Sequence, residues 1–215
     1  MLSKKLKYYK VESIARGSKM VQQRIQNASE ALKRAKEMGE EIFLARYQKV
    51  PEILKEFFDN ISDLIQYLRG NGYIKENTAE KWNGKIKQAY KYLEEKDIVA
   101  ALEEIHTGIR GIQLVLDRIK SDAFWKNQKI PEQLRMRLDT LASSLREFLV
   151  ILLDIVDYYA NTYNVSPIVQ ASWSEKVNNT FFQIKNGDII PALETIISIM
   201  RDLKPLLDEI KSKIN

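Results

Sequence analysis

A chain of 215 residues, 45 % hydrophobic and 29 % charged, has the make-up of a globular protein with room for one sizeable core or two small ones. It carries no cysteine and one histidine, His106, which removes disulfides, thiolate metal sites, cysteine nucleophiles and any site needing two imidazoles from one chain. The net charge is +5, and 8 glycines and 5 prolines among many Leu, Ile, Lys, Glu and Ala favour an all-α fold over strands, which need more turns.

The opening MLSKKLKYYK is basic but lacks the apolar stretch and small-residue cleavage site of a signal peptide. From about residue 18 to 48, Val21, Ile25, Ala28, Leu32, Ala35 and Ile42 recur at helical spacing. They form one apolar seam, a candidate surface for a partner helix or for self-association. Pro51 stands where a first-turn proline belongs and opens a helix to about Arg69, with Leu54, Phe57, Phe58, Ile61, Leu64, Ile65 and Leu68 on one side. Asn77 with Glu80 has the capping-box arrangement, predicting a helix through Trp82, Ile86, Ala89, Tyr90 and Leu93 to about Glu95. Asp97 caps the next helix, to about Ser121. Phe124 and Trp125 then fall in a short loop, where they either plug an internal interface or form an exposed contact. Pro131 opens a long helix to Thr162, whose apolar run Phe148–Leu153 is closed by Asp154 and is too short to cross a bilayer. Ser166 and Pro167 start another helix, Gly187 ends it, and Asp188 caps the last.

One stretch is written twice. Residues 82–121 align with 173–212 at a constant offset of 91, and 14 of the 40 positions are identical, among them Trp82/Trp173, Asp97/Asp188, Ala101/Ala192, Glu103/Glu194 and Ile105/Ile196. Upstream, Val50-Pro51-Glu52 matches Ile130-Pro131-Glu132 at an offset of 80, so the second copy carries 11 more residues, about three helical turns. The expected organisation is a basic helical arm (1–49), a three-helix unit (50–121) and a second three-helix unit (130–213), the two units forming one elongated bundle by tandem duplication.

Charge separates the arm from the repeat. Residues 1–36 hold 10 Lys and Arg against 2 Glu, whereas residues 51–215 hold 22 against 24 acidic residues. Clustered cations are rewarded by a polyanion through counterion release, whatever its base sequence. The arm residues placed to touch phosphates are Lys4, Lys5, Lys7, Lys10, Arg16, Lys19, Arg24, Lys33, Arg34 and Lys36, with Tyr8 and Tyr9 able to stack on unpaired bases. Two plainer readings stand beside this one: a solvated helix face, and an anionic membrane surface meeting Leu2, Leu6, Val11 and Ile14.

Catalytic candidates are thin. His106 faces Ile197 in the alignment and reads as a structural histidine. Asp154, Asp157, Glu103 and Glu194 are the carboxylates closest to apolar runs, but they read as the polar edge of imperfect stripes, while Trp82 and Trp173 read as core anchors. No phosphate-binding glycine loop, nucleophile elbow or metal-ligand spacing appears, so neither enzyme chemistry nor a cofactor is expected.

The segment YIKENTAEKWNGKIKQAYKYLEEKDIVAALEEIH, Tyr73–His106, resembles the helical bundle shared by the steroid receptor RNA activator protein and the C-terminal domain of the large COPII outer-coat subunit. Asp97, Ala101, Ile105 and His106 match its Asp-x-x-x-Ala-x-x-x-Ile-His pattern, and the second copy keeps Asp188, Ala192 and Ile196. The resemblance implies a non-catalytic bundle used for protein or ribonucleoprotein contacts.

The expectation is therefore a non-enzymatic structural or adaptor protein whose basic arm binds nucleic acid or a ribonucleoprotein, ribosome-associated or like a viral nucleoprotein. The alternative is a self-associating protein–protein scaffold with no nucleic-acid role. The expected location is the cytoplasm or a virion interior, and the cysteine-free, Lys/Glu/Ile-rich composition suits a thermophilic, archaeal host.

Overall fold

The computed structural model describes residues 44–214 together with Gly39 and Glu41. Residues 46–215 form one compact unit; those before it belong to a second, of which Gly39, Glu41, Leu44 and Ala45 are described, each helical. The seam from Val21 to Ile42 lies outside the described residues. After a helical turn ending at Tyr47 come α1 (Val50–Gly70), α2 (Glu76–Glu94), α3 (Ile98–Gly108), α4 (Arg110–Trp125), α5 (Glu132–Thr162), α6 (Pro167–Lys185), α7 (Ile189–Asp202) and α8 (Lys204–Ile214). Among the described residues there is no strand, and the all-α expectation holds.

Six of these helices pack in a ring, α1–α2–α3–α7–α6–α5 and back to α1, with α4 and α8 laid against α7. In α1, Pro51 occupies the first turn, where its missing N–H costs no helical bond, and Glu52 complements the helix dipole. Its apolar side, Leu54, Phe57, Phe58, Ile61, Leu64, Ile65 and Leu68, has no exposed surface at all; each such side chain contributes about 1.5–3 kcal/mol of burial. The Arg137 guanidinium of α5 lies 4.7 Å over the Tyr67 ring, and its Nε is 2.9 Å from Asp63, fastening α5 to α1.

Helices end in the same kind of turn at Gly72, Lys96, Asn127, Asn164 and Gly187, and two of these, Lys96 and Gly187, hold aligned positions. Lys96 and Gly187 both have positive φ, 56° and 81°. Lys96 N–H donates to Leu93 O and Asp97 N–H to Tyr92 O, while Gly187 N–H donates to Ile184 O and Asp188 N–H to Gln183 O. These are helix-ending bonds that satisfy the last free carbonyls. The helix starts after the two turns differ. Asp97 caps α3 by accepting from Ala100 N–H at 3.1 Å. Asp188 makes no such bond, because the aligned residue is Pro191, which has no N–H to offer. Gln113 of α4 caps α7 instead, accepting from Ile190 N–H at 3.3 Å and donating to Gly187 O at 3.0 Å. The freed Asp188 carboxylate takes Lys120 Nζ at 3.0 Å, and Lys120 also reaches Asp117 at 3.1 Å. The capping box at Asn77 is likewise not formed: Lys75 is the N-cap, two residues earlier, and the Asn77 side chain accepts from Thr78 instead.

Two expected single helices are each divided. The break at Leu203 has a local cause, since Pro205 has no N–H for the Arg201 carbonyl. The break at Ile109 has a tertiary one. A Cβ at Gly108 would run into the Cβ of Lys85, and one at Gly111 would stand 2.9 Å from Trp82 Cζ2. Glycine there lets α2 press against the α3–α4 junction and buries Trp82. The aligned residues in the second half are Ile199 and Asp202, and Trp173 is only half-buried, with its ring edge-on to Tyr159 at 5.9 Å. Gly108→Ala should therefore lose about 1–3 kcal/mol of stability by overpacking despite the better helix propensity of alanine, measured as a lower urea midpoint; unchanged stability would show that α2 is not held against this glycine.

Alkaline pH should also loosen the bundle. Burial and a 2.6 Å hydrogen bond to Asp59 push the Tyr90 hydroxyl above its ordinary 10.0. At Lys120 desolvation pulls the ammonium down, but Asp188 and Asp117 outweigh it and the net shift is upward from 10.5. Both groups hold their proton more tightly folded than unfolded, so their stabilisation is complete below the unfolded values and declines as pH rises beyond them. Urea midpoints should fall from about pH 10 upward, and Tyr90→Phe should make that fall shallower.

Candidate functional site

All twelve arm residues assigned to nucleic acid, Lys4 through Lys36, lie outside the described residues. Among the described residues the bundle offers a seam of ion pairs, concave surfaces and an exposed aromatic corner.

The seam joins α3 to α7. Glu103 Oε1 receives both Nε and Nη2 of Arg201, at 2.8 and 2.7 Å, and His106 Nε2 is 3.1 Å from Glu194 Oε1. Early α3 thus meets late α7 and the reverse, so the two helices run antiparallel. Under the charges, Ala101, Leu102, Ile105, Ala192, Leu193 and Ile196 are wholly buried. Lys85 adds a 2.9 Å pair with Glu104 from α2. Asp154 is paired with Arg46 at 2.8 Å, and Asp157 accepts from the Gln170 amide. The four carboxylates nearest to apolar runs are thus partnered and part-exposed, and His106 lies part-buried at the same seam. Among the described residues no group of three or more His, Asp or Glu is placed to hold a metal ion.

A mixed-charge cleft of about 430 Å³ lies between the turn before α1, the start of α3 and the α7–α8 junction. Tyr47, Lys96, Asp97, Glu103, Arg201 and Asp208 line it. Burial, and then the charges of Asp97 and Asp208, push the Tyr47 hydroxyl well above its ordinary range, so it stays a neutral phenol. These residues come from three distant segments, and no sequence signal unites them. A second, apolar groove of about 520 Å³ runs between α5 and α6, with Leu149, Val150, Leu153, Phe181 and Phe182 on its walls and Arg146 at its edge.

The corner is at the end of α4. Phe124 and Trp125 belong to the last helical turn rather than to a loop, and they are 76 % and 80 % exposed. Neither ring therefore plugs an interface within the described bundle. No known protein family, curated protein or solved structure matches this chain.

The seam's ion pairs stand in partly solvated positions and contribute at most about 1 kcal/mol each. Glu103→Ala or Glu194→Ala should therefore cost under about 1 kcal/mol, whereas Leu102→Ala beneath them should cost about 2–5 kcal/mol. Urea unfolding compares the three, and equal losses would show that charge rather than packing holds α3 to α7.

Proposed function

We propose that this protein is a non-enzymatic helical adaptor that binds nucleic acid or a ribonucleoprotein through its basic N-terminal arm. The observation that carries the reading is the separation of charge. Residues 1–36 bring 10 cations against 2 carboxylates, while residues 51–215 are slightly acidic overall. A ten-cation segment gains from phosphate neutralisation whatever the base order, and Tyr8 and Tyr9 add stacking on unpaired bases. The bundle supports the reading by contrast, since its cations at Arg46, Lys85, Lys120, Arg135, Arg137 and Arg201 are engaged by the chain's own carboxylates. The resemblance of Tyr73–His106 to bundles of ribonucleoprotein and coat proteins points the same way. We read the two halves as tandem copies, on the 14 shared positions. A cytoplasmic or virion-interior location and a thermophilic, archaeal host remain part of the proposal; no described helix is long and apolar enough to cross a membrane.

A protein–protein scaffold is the second reading, favoured by the open α5–α6 groove with Phe182 62 % and Val150 48 % exposed. Mixed DNA and RNA oligonucleotides should bind the full chain, with affinity falling about a thousandfold between 50 and 200 mM salt if six or more phosphates are contacted. Deleting residues 1–36 should abolish this binding. Full affinity after the deletion would overturn the arm's role, and absence of any binding by the full chain would leave the scaffold reading in its place.

A further inference from the structure

Six consecutive residues at the α4–α5 corner, Phe124, Trp125, Lys126, Asn127, Gln128 and Lys129, are all exposed. Two carry aromatic rings, two carry positive charge and two carry amides. Ala123, just before them, is buried and anchors the turn. An isolated exposed hydrophobe needs no explanation, but adjacent Phe and Trp at three-quarters exposure mark a contact surface.

The corner is rigidly built. Lys126 N–H donates to Asp122 O at 3.1 Å, Asn127 N–H to Phe124 O at 3.0 Å and Gln128 N–H to Ala123 O at 2.8 Å. Asn127 takes the left-handed conformation, φ 49°, that this helix ending requires and that Asn tolerates better than most residues. The two rings meet edge to face, with centroids 5.6 Å apart and planes at 78°. An edge contact covers at most one face of either ring, so flat aromatic surface stays open to a ligand.

Charge selects the ligand. Residues 123–131 contain Lys126 and Lys129 and no carboxylate. Glu132 beyond them is taken by Arg135 at 2.6 Å, and Asp122 lies one turn earlier. Exposed ring faces, flanking ammonium groups and amides able to meet base edges are the three elements of a single-strand binding platform. A duplex would offer phosphates to the lysines but no unstacked base to the rings.

We propose that the Phe124–Lys129 corner is a stacking site for unpaired bases of a single-stranded nucleic acid, a second contact beside the arm. It rests on the arm reading and narrows it, because it makes single strands the preferred ligand of the full chain. Trp125 and Phe124 receive the bases, and Lys126 and Lys129 meet the adjoining phosphates.

The test titrates the full chain with fluorescein-labelled dT15, rU15 and a 15-base-pair DNA duplex by anisotropy. Phe124→Ala/Trp125→Ala should weaken both single strands about ten- to a hundredfold and leave the duplex unchanged, with Trp125→Phe keeping most of the affinity. Circular dichroism checks that the exposed substitutions leave the bundle folded. Unchanged single-strand affinity in the double-alanine chain overturns this proposal while salt-dependent, arm-dependent binding continues. Absence of binding to any of the three probes by the parent chain overturns the arm reading and this one together. Sedimentation with vesicles of four parts phosphatidylcholine to one part phosphatidylserine, lost in the double-alanine chain whose oligonucleotide affinity is intact, overturns it in favour of a membrane contact.

Discussion

The ring of helices closes at one place, where α3 crosses α7. Each of the six packs on two neighbours, and removing this contact would leave two open layers with their apolar faces in water. Burial secures it: Ala101 and Ala192 carry no bulk at the crossing, and Leu102, Ile105, Leu193 and Ile196 are sealed from solvent. The ion pairs above them are partly hydrated and orient the helices more than they stabilise them. The same logic holds α2 to the α3–α4 junction, where two glycines admit Lys85 and Trp82.

The two halves share a pattern but use it differently. Losing one N–H at Pro191 redirects Asp188 from capping its own helix to binding Lys120, and Gln113 takes over the cap from a neighbouring helix. A cap confined to a few residues in the first half thus becomes a link between distant elements in the second. Trp82 and Trp173 diverge for a similar reason, since only the first faces glycine. The additional helical length of α5, 31 residues against 21 in α1, leaves its last turns facing α6 with Tyr159, Tyr163 and Trp173 in one aromatic cluster.

Function, as proposed, sits where the bundle does not use its side chains on itself. Across residues 51–215 cations and carboxylates nearly balance, 22 against 24, whereas the arm's cations are in excess and the Phe124–Lys129 corner holds two without an acidic neighbour in its run. A polyanion would meet a rigid body bearing one fixed aromatic platform, with the cationic arm supplying most of the salt-sensitive affinity.

Composition and local spacing were enough to determine the all-α class, the opening of α1 at Pro51, the long α5 and the turns before Asp97 and Asp188, because caps, prolines and a 3.6-residue period act within a few residues. The break at Leu203 and the lost cap at Asp188 depart from the single capped helix expected there, although each traces to a proline, Pro205 and Pro191, whose missing N–H is a local fact. Tertiary structure alone decided the break at Ile109, the unequal burial of Trp82 and Trp173, the Gln113 cap, the assembly of the Tyr47 cleft and the exposure of Phe124 and Trp125. Each depends on which atoms arrive from a helix distant in sequence, and periodicity reports which face is apolar without saying what will cover it.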